Sequence, residues 1–141
     1  MPAQADKLEN PFFKLMPISY EVDKEKRIVF CRAFDVCTAQ DAVTLHERIQ
    51  ADPDFDPDFS QFMDFTAATL GDITADEVRM LAGSGPFSPT SRRAFVNNSL
   101  LGFGLSRMFE LLSEARGDLH VRVFRDREEA LAWLHRTESS G

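Results

Sequence analysis

Cysteine is scarce in this chain, with only Cys31 and Cys37 among 141 residues, six positions apart. That spacing is not C-x-x-C, and no further cysteine exists to complete a thiolate zinc site. The pair therefore reads as two buried or half-buried free thiols, one in a strand-like run and one at a helix start. Tryptophan and tyrosine occur once each, against 13 phenylalanines. Phenylalanine has no polar handle, so this aromatic supply reads as core rather than as base-stacking platforms. There is no basic run. Lys and Arg number 16 against 23 Asp and Glu, a net charge of −7, with most of the excess in the first half. An acidic chain repels phosphate backbones, so no nucleic-acid partner is expected. No apolar run approaches the ~20 residues that span a bilayer. The opening MPAQADKLEN lacks the basic start and apolar stretch of a signal peptide. No membrane insertion and a cytoplasmic location are the expectations. His46, His120 and His135 share no H-x-x-x-H or H-E-x-x-H spacing, and G-x-S-x-G does not occur. No catalytic residue, no metal site and no cofactor are expected.

What is present is the composition of an ordinary globular fold, 43% hydrophobic in a length that suits one domain. Residues 1–16 form an arm carrying Phe12, Phe13, Leu15 and Met16, expected to dock through residues 11–16 on the domain or on a second subunit. Residues 17–136 form the domain and residues 137–141 a tail. Ile18, Tyr20 and Val22 alternate with polar residues, the period-2 pattern of a half-buried strand. Residues 23–26 make a charged turn. Ile28-Val-Phe-Cys31 is apolar on both faces, as in a strand covered from two sides. Thr38 with Asp41 opens a helix bearing Ala42, Leu45 and Ile49, which stops before Pro53. Residues 59–65 read as a short strand ending at Asp64. Thr74-Ala-Asp-Glu77 is a capping box for a second helix. Residues 93–97 (RAFVN) and 120–124 are two further strands. Between them Leu101, Leu105, Met108 and Leu112 form a helical stripe, with Gly117 where a helix ends. Asp126 and Glu129 cap a last helix carrying Trp133. The order ββαβαβαβα implies an α/β domain with a mixed, mostly parallel sheet of four or five strands and about four helices.

These phrases resemble a known family. ISYEV and RIVF in the hairpin, ADPDFDPDF and FMDFTAAT around the third strand, RRAFV, GFGLSRMFELLSE and the closing VRVFRDREEALAWL are similar to the SpoIIAA-like group of STAS-type domains. The resemblance covers about residues 17–135. It implies a non-catalytic interaction or ligand-sensing domain, so a regulatory role with an unidentified protein partner is expected. A homodimer through the apolar arm or through the helix starting near Leu101 is a separate expectation from those side chains. In the better-understood antagonists a phosphorylatable Ser opens the second helix in a D-S-S/T-G-like context. Here that context is LGDITADE: Asp72 matches the acid, Ile73 takes the acceptor position, and Thr74 is followed by Ala75 rather than Gly. Thr74 is thus a candidate switch residue whose capping role explains it equally well.

Three further constellations stand out. The turn from Asn97 to Gly104 follows a strand and opens a helix, so Asn98, Ser99, Gly102 and Gly104 are candidates for an interaction surface or an anion loop. Arg92, Arg93 and Arg107 are the candidate anion contacts. Two glycines without a third, and without a P-loop lysine, do not make a nucleotide motif. Phe87, Phe95, Phe103 and Phe109 are candidates to line an apolar pocket. Together these support the alternative of a small apolar or anionic ligand, as in lipid-transfer folds of similar plan. Finally, Asp52, Asp54, Asp56 and Asp58 alternate as in a calcium loop. Pro57 stands where such a loop needs Gly and Met63 where it needs Glu, so a solvated connection is expected.

Overall fold

Alternation and apolar runs in the strand segments resolve into one five-stranded sheet. The computed structural model describes residues 17–70, 72–118 and 120–136; the docking expected of residues 11–16, and the tail at 137–141, lie outside them. β1 (Ile18–Asp23) and β2 (Ile28–Val36) form the antiparallel hairpin. β3 (Ser60–Thr69), β4 (Arg93–Val96) and β5 (Val121–Phe124) then add in parallel, giving the spatial order β1-β2-β3-β4-β5. The helices are α1 (Ala39–Ala51), α2 (Ala75–Ala82), α3 (Leu100–Ala115) and α4 (Arg127–Arg136).

The helices divide unequally between the two faces of the sheet. Val29, Cys31 and Ala33 of β2 join Leu45 and Ile49 of α1, Val78 and Leu81 of α2 and Phe109 of α3 in one core. Ile28 of β2, Phe62 of β3 and Ala94 and Val96 of β4 pack instead with Ala130, Trp133 and Leu134 of α4. A central strand buried from both sides has no solvent face, which is why Ile28-Val-Phe-Cys31 is apolar throughout. The expected caps are in place. Thr38 Oγ1 accepts from the Asp41 amide at 3.2 Å and Thr74 Oγ1 from the Glu77 amide at 3.1 Å. Each acid side chain returns a bond to the threonine amide. At the end of α3, Gly117 takes φ 101° and the Asp118 amide donates to the Ser113 carbonyl at 2.9 Å, closing the helix as a left-handed cap.

Two expectations need correction. β3 does not stop near Asp64 but continues to Thr69, because β2 also runs on and pairs Phe34, Asp35 and Val36 with Ala67, Ala68 and Thr69 beyond an irregularity. This end is held by backbone pairing, and its small and polar side chains carry no apolar signal to read. In α3 the most buried line is Gly102, Ser106, Phe109 and Ser113, not the leucine stripe. Leu105, Met108 and Leu112 flank it half-buried, and Leu101 is 58% exposed. Small residues bring the helix axis close to its neighbours, so larger side chains pack on either side of the contact line.

Candidate functional site

All four residues of β4 are buried, and their alternation sorts them between the two cores. Arg93 and Phe95 face α1–α3, while Ala94 and Val96 face α4. Arg92, one residue earlier, lies on the α4 side with its guanidinium 5.1 Å from the Trp133 ring centre. Arg107 is exposed on α3 and paired with Glu110. The three candidate arginines therefore do not converge. Arg93 instead sits among three of the four candidate phenylalanines, with its guanidinium 4.9 Å from the Phe87 ring centre, 5.6 Å from Phe95 and 5.4 Å from Phe109. Phe103 is elsewhere, under Arg125 at 4.1 Å.

Between the sheet and α1–α3 lies a cavity of about 80 Å³. Phe95 and Phe109 line it, as do Met63, Phe65, Leu45 and Leu105; Phe87 touches Arg93 from outside the lining. Its polar groups are Arg93, Gln61, His46 and Ser106. Arg93 is only 5% exposed. Its Nε donates to Gln61 Oε1 at 2.9 Å, and Gln61 Nε2 in turn donates to Cys31 Sγ at 3.6 Å. Arg93 Nη2 has no partner among the described residues. Among the described residues no carboxylate forms an ion pair with it. A buried ion lacking a counter-charge is costly, and facing aromatic rings offset only part of that cost. Burial pushes the guanidinium down to about 10, with the charge of Asp118 acting the other way, so it stays cationic at neutral pH. Burial, then the charge of Arg93, pushes His46 down to about 4, leaving a neutral imidazole. Burial pushes both thiols up to about 12, so Cys31 and Cys37 are protonated and poorly nucleophilic. Arg93 thus supplies the cavity lining with its positive charge.

The turn into α3 spends most of its polar groups on itself, although Asn97 Nδ2 is buried without a partner among the described residues. Asn97 is buried and its Oδ1 accepts from the Ser99 amide at 3.3 Å and the Ser99 hydroxyl at 3.2 Å. Ser99 Oγ caps α3 by accepting from the Gly102 amide at 3.0 Å. Asn98 and Ser99 are exposed, as are Asp72 and Thr74 at the start of α2. A Cβ on Gly102 would lie 2.4 Å from the Asn97 amide group, so glycine is required there for the close approach. Gly104 faces open space. On the outer side of α3, Leu100 is 85% exposed and Leu111 51%, with Leu101 beside them. The neighbouring helix α2 leaves Met80 half exposed.

Sequence reasoning missed the contributions of His46, Gln61 and Ser106 to the cavity, and the exposure of the α3 leucines. A signal existed for two of them. His46 adjoins the inward Leu45, and Gln61 shares the period-2 face of Met63 and Phe65. In the acidic loop, Asp52 accepts from the Tyr20 hydroxyl at 2.9 Å and Asp54 faces Lys24 at 3.6 Å. Among the described residues no three His, Cys, Asp or Glu side chains gather as a metal site, and no helix is long and apolar enough to cross a membrane.

No protein-family model matches the chain, and no curated protein matches it. Among solved structures it is similar to an uncharacterised protein of the DUF3478 family from Shewanella loihica PV-4, which has a SpoIIAA-like fold. The likeness has a TM-score of 0.51 at 18% identity and covers 83% of this chain and 93% of that one. This chain therefore has a SpoIIAA-like α/β fold.

Proposed function

We propose that this SpoIIAA-like domain is a non-enzymatic, cytoplasmic interaction module of the regulatory type, and that it docks a protein partner on the outer side of α3. The observation that carries this reading is the exposure of Leu100, Leu101 and Leu111. Leu100, Gly104, Arg107 and Leu111 fall at i, i+4, i+7 and i+11, which places them on one face of the helix. Each leucine stabilises a complex by up to about 1.5–3 kcal/mol if a partner buries it fully. Arg107 pairs with Glu110, and Arg79 of α2 with Asp76, so nearby charge is neutralised within the domain. A face of that kind suits an apolar protein surface rather than a polyanion. The non-enzymatic reading draws on the protonated state of both thiols and on the neutral, desolvated His46.

Native mass spectrometry of the protein taken from its own host tests the reading. A stoichiometric complex that the double variant Leu100→Ser/Leu111→Ser loses, at unchanged melting temperature, is the expected result. An identical complex profile for the wild type and the variant would refute it.

A further inference from the structure

We propose that the cavity between the sheet and α1–α3 is a binding site for a small aliphatic monocarboxylate, anchored by the unpartnered Nη2 of Arg93. The site lies on the sheet-facing side of α3 and is independent of the outer face proposed for protein docking. It sharpens the alternative that the phenylalanine content raises, by giving the ligand a charge, a size and an anchor.

Four observations converge on this class. First, Arg93 is buried and lines the cavity, with its Nε satisfied by Gln61 at 2.9 Å. Its Nη2 has no acceptor among the described residues. Buried side-chain donors are nearly always satisfied, and a guanidinium is satisfied best by a carboxylate. Second, no carboxylate among the described residues forms an ion pair with it; Asp118 acts on it only from beyond ion-pair distance, which leaves the contact position open for a bound carboxylate. Third, among the described residues Arg93 is the only Lys or Arg in the lining, and its Nε is already engaged. A single free guanidinium edge matches a monoanion. A phosphate dianion needs more donors than this lining supplies. Fourth, most of the remaining wall is apolar, including Met63, Phe65, Leu105 and Phe109, which suits a hydrocarbon tail.

Volume sets the tail length. About 80 Å³ is roughly half the ~150 Å³ of an engineered cavity that admits benzene. On that scale a ligand of about three to four non-hydrogen atoms fills the space, with acetate at its limit, and propionate and butyrate probe how far the lining yields. The neutral imidazole of His46 and the Ser106 hydroxyl are the other polar groups placed to meet the carboxylate or an ordered water beside it.

The test is a titration of the full chain with acetate, propionate and butyrate, followed by amide and methyl NMR shifts of the lining residues, with propionamide as the uncharged isostere. Two variants accompany it. Arg93→Met removes the charge while keeping an apolar stem. Ala42→Leu keeps Arg93 and fills the cavity from α1, where Ala42 lines it. The expected result is saturable shifts for at least one carboxylate, weakened by about tenfold or more in each variant, the effect of losing a charge-assisted hydrogen bond or its space. Propionamide should give no matching shifts. The proposal is overturned if no carboxylate gives saturable shifts in the wild type. Equal binding by propionamide, or by the Ala42→Leu protein, overturns it too. Should Arg93→Met fail to fold, Ala42→Leu and propionamide still decide.

Discussion

Two glycines, two residues apart on α3, should respond to the same substitution with opposite signs. Gly102→Ala adds a methyl group that would sit 2.4 Å from both Asn97 Nδ2 and Oδ1 and 2.6 Å from Cγ. No stable contact exists at that distance, so the Asn97 side chain has to move. It is buried, and its Oδ1 holds both the Ser99 amide and hydroxyl that prepare the α3 cap. Overpacking costs about 1–3 kcal/mol, and each displaced hydrogen bond adds about 0.5–1.5 kcal/mol. Against this stands a gain of up to about 1 kcal/mol from replacing a helical glycine by alanine. The net expectation is destabilisation by about 1–5 kcal/mol. Gly104→Ala meets nothing within 4 Å and has no positive φ, so only the helix gain remains. It should stabilise by about 0.5–1 kcal/mol. For a chain of this size each kcal/mol moves the melting temperature by about 3–5 °C. Urea denaturation with both variants, read as a midpoint shift at constant m-value, measures the difference. A Gly102→Ala protein as stable as the wild type would show that α3 does not depend on this close approach, and a destabilised Gly104→Ala would show that its outer face is already in use.

Thr74→Ala should lose about 0.5–2 kcal/mol, because both bonds of the Thr74–Glu77 box depend on that residue's side chain or its placement. Thr74→Asp keeps a cap and should melt close to the wild type. A partner profile that Asp alone alters would mark Thr74 as a switch, whereas identical profiles with a destabilised Ala variant would leave it a cap. The third prediction concerns pH. His46 is pushed down to about 4 in the fold by burial and by Arg93, against 6.5 when unfolded. As pH falls, the unfolded chain takes up this proton first, so the stability is intact above 6.5 and drains away towards pH 4. The linked loss is about 3 kcal/mol at most. Stability measured from pH 7 to 4.5 should therefore fall less steeply for His46→Gln than for the wild type; parallel profiles would contradict the desolvated imidazole.

Buried charge links the fold to its chemistry. In most cores an arginine at a fully buried strand position would be a defect, and its retention here is accompanied by specific surroundings. Gln61 holds one edge of the guanidinium and three aromatic rings cover its faces. His46, which could have added a second positive charge, is neutral. The result is a rigid donor at the end of an apolar cavity, the arrangement that small-ligand sites use to orient a bound anion. Replacing Arg93 by an apolar residue of similar length need not destabilise the protein, since an uncompensated buried ion is itself unfavourable.

Local chemistry alone determined the element order, the two capping boxes, the glycine that ends α3, and the double-sided burial of β2. Each rests on interactions within a few residues, or on a period-2 or period-3.6 repeat that the side chains carry directly. The sequence also carried the resemblance to SpoIIAA-like domains, which the fold bears out. Tertiary structure alone decided which helices cover which face of the sheet. That division separated Arg92 from Arg93 and sent Phe103 away from the other three phenylalanines. It decided the length of β3, whose last residues are held by pairing with β2 over more than thirty positions of sequence. It also decided that the leucine stripe of α3 is a flank and an outer surface, because the line through Gly102, Ser106, Phe109 and Ser113 is the one turned into the core. The cavity draws His46 from α1, Gln61 from β3, Arg93 from β4 and Ser106 from α3. Periodicity tells which side of its own element a residue takes, but not which distant element lies across from it. That is set by strand pairing and helix packing, and so the site became visible only when the chain was folded.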